Sequence, residues 1–153
     1  MQIKIAGPGE YVTAAAGIWA QATAARDGDD EIAPLSEAVP VIERDLSLLV
    51  VAVDETGTVV GFAAVSAAGS TGHVRCLGVH PGSWGRGVGR LLTSALPGHL
   101  AAAGFSHGEL EVYLDNQRAV RLYEGLGWRP VGDPAPHPRS GRLEQRYQIE
   151  VSE

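Results

Sequence analysis

The chain has 153 residues and sets 12 Lys+Arg against 18 Asp+Glu, a formal net charge of −6; that length fits one domain over 1–153 and leaves little room for a second. A hydrophobic content of 44% with 20% charged residues describes a globular core and excludes disorder over most of the chain. The acidic balance disfavours a nucleic-acid partner, because phosphate neutralisation needs clustered Lys and Arg. One cysteine, Cys76, excludes an internal disulfide and a cysteine-based zinc cage. No apolar run approaches about 18 residues, and Gly7, Pro8, Gly9 and Glu10 stand where a signal-peptide core would lie. A cytoplasmic protein with no membrane partner is therefore expected.

In chain order, residues 2–6 alternate polar and apolar as a short strand, followed by a turn at Gly7-Pro8-Gly9. From Glu10, the positions Tyr11, Ala15, Ile18, Trp19 and Ala22 form one helical face that ends near Gly28. Asp29, Asp30 and Glu31 make an acidic loop. A shorter helix is predicted over 36–46, with Ser36 a candidate cap and Pro40 either in its first turn or at a kink. Residues 47–54 are too apolar for a one-sided strand and read as buried. They turn at Glu55-Thr56-Gly57 into a return strand over 58–67, an antiparallel hairpin. A loop at 69–72 precedes a strand over 73–79, which Pro81 stops. A helix over 88–103 carries Val88, Leu91, Leu92, Ala95, Leu96 and Leu100, with a kink expected at Pro97-Gly98. A strand over 109–114, a helix from Asn116 to Gly127, a strand over 128–131, a Pro-rich loop over 133–141 and a last strand over 142–151 complete the chain. The order predicts a mixed α/β (α+β) fold, about seven mostly antiparallel strands with about four helices on the faces of the sheet.

The chemistry concentrates in 79–92, VHPGSWGRGVGRLL. A buried strand stops and a glycine-rich turn feeds a helix. The first amides of that helix lack internal partners, and the helix dipole there favours negative charge. Gly85, Gly87 and Gly89 clear side chains from the turn, while Arg86 and Arg90 supply positive charge. This is not a nucleotide P-loop, because Val88 follows Gly87 where Lys is required. Nor is it GxGxxG, because the spacing is Gly85-x-Gly87-x-Gly89. Taken alone, such a turn is either a diphosphate cradle or a tight strand-to-helix connection.

Two stretches together resemble the GNAT superfamily of acyl-CoA-dependent N-acyltransferases. Val79, Pro81, Gly87 and Gly89 match its first signature, and Asn116, Ala119, Tyr123, Gly127 and Trp128 match its second. The resemblance covers about 47–131. One departure is Trp84, at the position where the family usually carries Gln or Arg; its indole either packs on the donor or covers the turn.

The resemblance implies acetyl-CoA as co-substrate, no metal, and strands splayed after Val79 to admit the pantetheine arm. It implies that Leu77, Gly78 and Val79 pair with that arm through the main chain, Gly78 allowing close approach. The diphosphate would lie on Gly85, Arg86, Gly87, Val88, Gly89 and Arg90, with Asn116 and Ala119 beside the arm. It further implies an amide near Leu77 or Val79 for the oxyanion and Tyr123 as the acid that protonates the leaving thiolate, against a core aromatic role. Counting back along the strand, the position of a general base falls on His73, placed by alternation on the face of Arg75, Leu77 and Val79. Cys76 would point to the opposite face, as core. His80 is a weaker base candidate. Asp29, Asp30 and Glu31 would border an acceptor site suited to a cation.

The activity implied is direct acetyl transfer to a primary amine, a small molecule being slightly favoured over a protein amine. The alternative is a non-catalytic acyl-CoA-binding regulatory module. Homodimerisation is expected from exposed sheet edges and from the habit of relatives, without the sequence deciding it.

Overall fold

A computed structural model describes residues 1–6, 10–28 and 30–152. The predicted turn at Gly7-Pro8-Gly9, and Asp29 of the acidic loop, lie outside the described residues. The elements are β1 (Gln2–Ala6), α1 (Val12–Asp27), α2 (Leu35–Glu43), β2 (Leu46–Val53), β3 (Val59–Ala68), β4 (Thr71–Val79), α3 (Val88–Ala102), β5 (His107–Tyr113), α4 (Gln117–Gly125), β6 (Arg129–Pro136) and β7 (Leu143–Glu150), with a short 3₁₀ turn at Pro81–Ser83. The seven strands form one sheet in the order β1-β2-β3-β4-β5-β7-β6. Every neighbouring pair is antiparallel except β4 with β5.

Several boundaries differ from the sequence expectation. Pro40 sits in the second half of α2, with Pro34 rather than Ser36 at the N-cap, so the proline is absorbed inside the helix. Pro97 is likewise carried within a single α3. The loop expected at 69–72 is a tight turn, and β4 begins at Thr71. β6 continues through the Pro-rich stretch to Pro136, exposed throughout. At the sheet edge a proline's missing N–H costs no ladder bond, which is why a strand tolerates Pro130, Pro134 and Pro136 there.

Two cores lie on opposite faces of the sheet. On one, Val88, Leu92, Leu96 and Leu100 of α3 meet Val50, Ala63, Val65, Val74, Leu110 and Val112, and α4 adds Ala119, Val120 and Tyr123. On the other, Val12, Ala15, Ala16 and Ile18 of α1 and Ile42 of α2 meet Val51, Phe62 and Ala64, with Cys76 packed alongside. β2 is fully buried from Leu48 onward because both faces are covered. Close packing of α3 needs glycine on the strands below it: a Cβ on Gly61 would meet Leu92 Cδ1 at 2.8 Å, and one on Gly108 would meet Leu100 Cδ1 at 2.7 Å.

Leu96 is completely buried, and Leu96→Ala is expected to cost about 2–5 kcal/mol of unfolding free energy in a denaturant titration. A loss below about 1 kcal/mol would show that α3 does not hold the sheet as described.

Candidate active site: a groove where two strands part

β4 and β5 pair only at Thr71–His107, Gly72–Gly108 and His73–Glu109. Beyond that point β5 pairs with β7 alone, and β4 from Val74 onward keeps only β3 as its partner. The strands therefore part after His73, six residues earlier than the splay expected beyond Val79. A groove of about 1170 Å³ occupies the gap. It is lined by β4 from Val74 to Val79, by Ser83 to Gly85 and Gly87 to Arg90, by β5 from Leu110 to Tyr113, and by α1 and α4 from opposite faces of the sheet.

Register decides which backbone groups enter it. The His80 amide donates to the Val60 carbonyl at 2.8 Å, and Phe62 faces Gly78. In an antiparallel ladder these bonded pairs alternate with non-bonded ones. The peptide groups of Gly78 and His80 thus serve β3, while those of Leu77 and Val79 point into the gap. The expectation that Gly78 contributes its own peptide group is corrected accordingly. Its lack of a side chain answers to packing, since a Cβ there would meet Phe62 Cε1 at 2.8 Å. The Trp84 indole Nε1 donates to the Val79 carbonyl at 2.8 Å, so this residue pins the end of β4 to the turn while its half-exposed ring lines the groove.

Gly85 and Gly87 take φ values of 78° and 80°, and Gly87 is the N-cap of α3. A left-handed backbone suits glycine and disfavours any β-carbon. The amides of Val88, Gly89 and Arg90 open α3 and have no partner one turn earlier in the helix. They face a rim that carries Arg90 of α3 and Arg118 and Arg121 of α4. Arg86 is not among the lining residues. The two α4 arginines were missed in the sequence; their i, i+3 spacing, which puts both on one helix face, was the available signal. Asn116 caps α4, its Oδ1 accepting from the Ala119 amide at 3.3 Å, and both residues line the groove. Tyr123 also lines it, with its ring edge-on to Trp128 at 6.0 Å. Burial pushes the phenol pKa up from its ordinary value, and no described residue holds its hydroxyl, so the proton is retained and available.

A bulge resets the faces of β4. Ala64 is opposite Cys76 while Val65 is opposite Val74, leaving Arg75 as the extra residue. The Arg75 guanidinium donates to the Val41 and Ile42 carbonyls at 3.0 and 3.1 Å and to Ser66. Val74, Leu77 and Val79 pack into the α3 core, whereas Cys76 packs into the α1 core. His73 shares the α1 face, because its Nε2 lies 2.6 Å from Oε2 of Glu111, and Leu110 and Val112 on either side of Glu111 belong to the α3 core. Two expectations are thereby overturned: His73 is not on the face of Leu77 and Val79, and Cys76 is not opposite His73. The bulge, which strict alternation omits, is the reason. Burial raises the Cys76 thiol above its usual pKa, as expected for a packing residue.

His73 itself does not line the groove; Glu111 does, and the sequence gave no signal for that carboxylate beyond strand alternation. The hydrogen bond from Glu111 raises the His73 pKa above its usual 6.5 against the opposing effect of burial, and the same bond lowers that of Glu111 below 4.5. His80 is a turn-former, its Nδ1 accepting from the Gly82 amide at 3.0 Å. Asp30 and Glu31 are exposed and are not among the lining residues. Ligand atoms of His73, Glu109 and Glu111 lie within 4.8 Å of one another, but Arg146 Nε already stands 3.4 Å from Glu109 and 3.5 Å from Glu111. The cation balancing those carboxylates is a guanidinium.

The paired state of His73 and Glu111 is favoured between the lowered Glu111 pKa and the raised His73 pKa, and is lost outside that window. A ring-proton NMR titration is expected to place the His73 midpoint above 6.5, and Glu111→Gln is expected to move it down. An unmoved midpoint would show that the pair does not form in solution.

The groove, its peptide groups and its basic rim belong to a fold found elsewhere. The yncA protein of Salmonella typhimurium, solved with its cofactor acetyl-CoA, superposes with a TM-score of 0.76 at 20% identity, covering 100% of this chain and 95% of that one. The ribosomal-protein-S18-alanine N-acetyltransferase of Escherichia coli superposes at 0.72 with 17% identity, covering 99% and 94%. In sequence, the chain is similar to the mycothiol acetyltransferase of Renibacterium salmoninarum, 34% identical over 107 residues, which is 66% of this chain and 32% of that protein. The Beutenbergia cavernae mycothiol acetyltransferase is 47% identical over 62 residues, 40% of this chain and 21% of that protein. The chain thus spans about a fifth to a third of the curated relatives it matches. The profile of the Acetyltransferase (GNAT) family matches residues 17–128, and this chain belongs to that family.

Proposed function

We propose that the chain is a single-domain N-acetyltransferase that moves an acetyl group from acetyl-CoA to a primary amine by direct attack. The observation that carries this is the groove itself: free peptide groups of Leu77 and Val79 on one wall, the open amides of α3 at one end, and Tyr123 within it. Leu77 and Val79 would hold an extended pantetheine arm as an added strand. Gly85, Gly87, Val88 and Gly89 would hold the diphosphate through peptide N–H groups, with Arg90, Arg118 and Arg121 adding charge. Asn116 keeps the NH₂ end of its side chain for the arm while its oxygen caps α4.

When the nitrogen lone pair attacks the thioester carbon, negative charge gathers on the carbonyl oxygen. An amide of Leu77 or Val79, already aimed into the gap, is placed to stabilise it. Tyr123 then gives its proton to the departing sulfur. The proton is on the oxygen at the start because burial has raised its pKa. The acceptor must first shed a proton of its own, since an alkyl ammonium with a reference pKa near 10.4 costs about 5 kcal/mol to deprotonate at pH 7.

A small-molecule amine is favoured as the acceptor over a protein amine, in line with the mycothiol acetyltransferases to which the chain is similar. Cys76 as a lone thiol fits a reducing compartment, and no described helix is long and apolar enough to cross a membrane; both support a cytoplasmic location. The exposed edge strand β6 supports a homodimer.

Isothermal titration is expected to register acetyl-CoA binding. Gly87→Val should abolish it, because a β-branched side chain is strained at that positive φ. With an amine panel, Tyr123→Phe should lower kcat about tenfold or more, about 1.4 kcal/mol of barrier, with KM for acetyl-CoA unchanged. Binding without thiol release by the unaltered protein would favour the regulatory module instead.

A further inference from the structure

Resting on the acetyltransferase reading, we propose that Glu111 is the side chain that meets the acceptor amine: its carboxylate binds the incoming ammonium where β4 and β5 part and passes the proton that amine must lose to the His73 imidazole behind it. Three observations converge on this arrangement. Glu111 lines the groove and His73 does not. The two side chains touch, His73 Nε2 lying 2.6 Å from Glu111 Oε2, with the imidazole 31% exposed and thus able to release a proton to solvent. Finally, the groove crosses the sheet, with α1 on one side and α4 on the other.

That crossing fixes the directions of attack and departure. Tyr123 packs with the α3 core, while Glu111 projects to the α1 face. A thioester lying in the gap therefore has its leaving sulfur on the side of Tyr123 and an open approach from the side of Glu111. Glu111 is also two residues beyond the last β4–β5 pair, at Glu109, which puts its carboxylate near the vertex of the gap. Glu144, the other acidic lining residue, lies opposite Tyr113, further from that vertex and without a histidine behind it.

The step balances without a co-reactant. One N–H bond of the ammonium breaks, and its proton passes through the Glu111 carboxylate to neutral His73 and on to solvent. The freed lone pair forms the C–N bond and the C–S bond breaks. Tyr123 protonates the sulfur, and the second N–H proton, lost as the amide forms, restores the phenol through solvent. His73 must be neutral to accept, so the rate should climb along an acid limb. The groups that set this limb are Glu109 and Glu111 of β5, Arg146 of β7 and Arg75 on the bulge of β4, with uncharged Ser66 contributed by β3. Across the groove, Arg26 of α1 is paired to Asp27.

The test uses n-butylamine as probe, acetyl-CoA as donor, and thiol release as readout across pH. Glu111→Gln is expected to lower kcat/KM for butylamine about tenfold or more, with KM for acetyl-CoA unchanged. His73→Gln is expected to lower kcat with little change in KM for the amine and to move or flatten the acid limb, an effect that loss of packing alone would not produce. A Glu111→Gln rate within about twofold of the unaltered protein, on an unmoved limb, would overturn the inference. Where butylamine turns over too slowly, its NMR titration against the acetyl-CoA complex is read instead: a His73 ring shift that disappears in Glu111→Gln supports the arrangement, and no shift overturns it. Calorimetry with acetyl-CoA alone separates the two levels. If acetyl-CoA does not bind, the enzyme reading fails. If it binds and the variants behave as the unaltered protein does, only this inference fails.

Discussion

Three pairs of residues hold β4 to β5, and the fourth does not form. That early parting is the constraint on which the rest of the site depends. Two parallel strands that diverge leave one edge of each without backbone partners, and unpaired N–H and C=O groups away from water are costly. The protein meets that cost on the β5 side by pairing β5 with β7. On the β4 side it leaves the groups of Leu77 and Val79 facing a groove, with only the Val79 carbonyl engaged, by Trp84. An extended ligand with amide groups is the natural complement of such an edge.

The surrounding elements keep the gap open. Leu92, Leu96 and Leu100 of α3 lock β2, β3 and β4 from one face, with Gly61 and Gly108 letting the helix approach closely. Phe62 and α1 cover the other face. The bulge at Arg75 bends β4 away and spends the guanidinium on α2 carbonyls and Ser66, so an arginine at the heart of the sheet ties α2 down and is not a free charge in the groove. Polarity is divided along the groove. Arg90, Arg118 and Arg121 stand toward its α3–α4 end, and Glu111 stands at the sheet crossing. A chain with a net charge of −6 thus offers an anion site and a cation site on one path.

Much of this was legible before any coordinates. Element order, the hairpin of β2 and β3, the glycine turn into α3, and Asn116 and Tyr123 on α4 follow from hydrophobic period and turn chemistry, which are local properties of the chain. Boundaries moved where local rules met tertiary context. Pro40 and Pro97 stay inside helices because neighbours hold those helices in place, and the prolines of β6 stay in a strand because it is an edge. Asp30 and Glu31 looked suited to a cationic acceptor by charge alone, but the chain places them outside the groove lining.

By itself the sequence determined what each segment prefers: seven strands, four helices, a glycine mouth, a tyrosine one helix later. Only the tertiary structure decided which side chains meet. A single extra residue at Arg75 reverses every face upstream of it, since side chains on a strand alternate with period two. That reversal moved His73 away from Leu77 and Val79 and onto Glu111, a carboxylate 38 positions along the chain. Composition and period carry no trace of such a slip, because a bulge is selected by how two strands and the helix beneath them fit together, and none of those partners is a neighbour in the sequence.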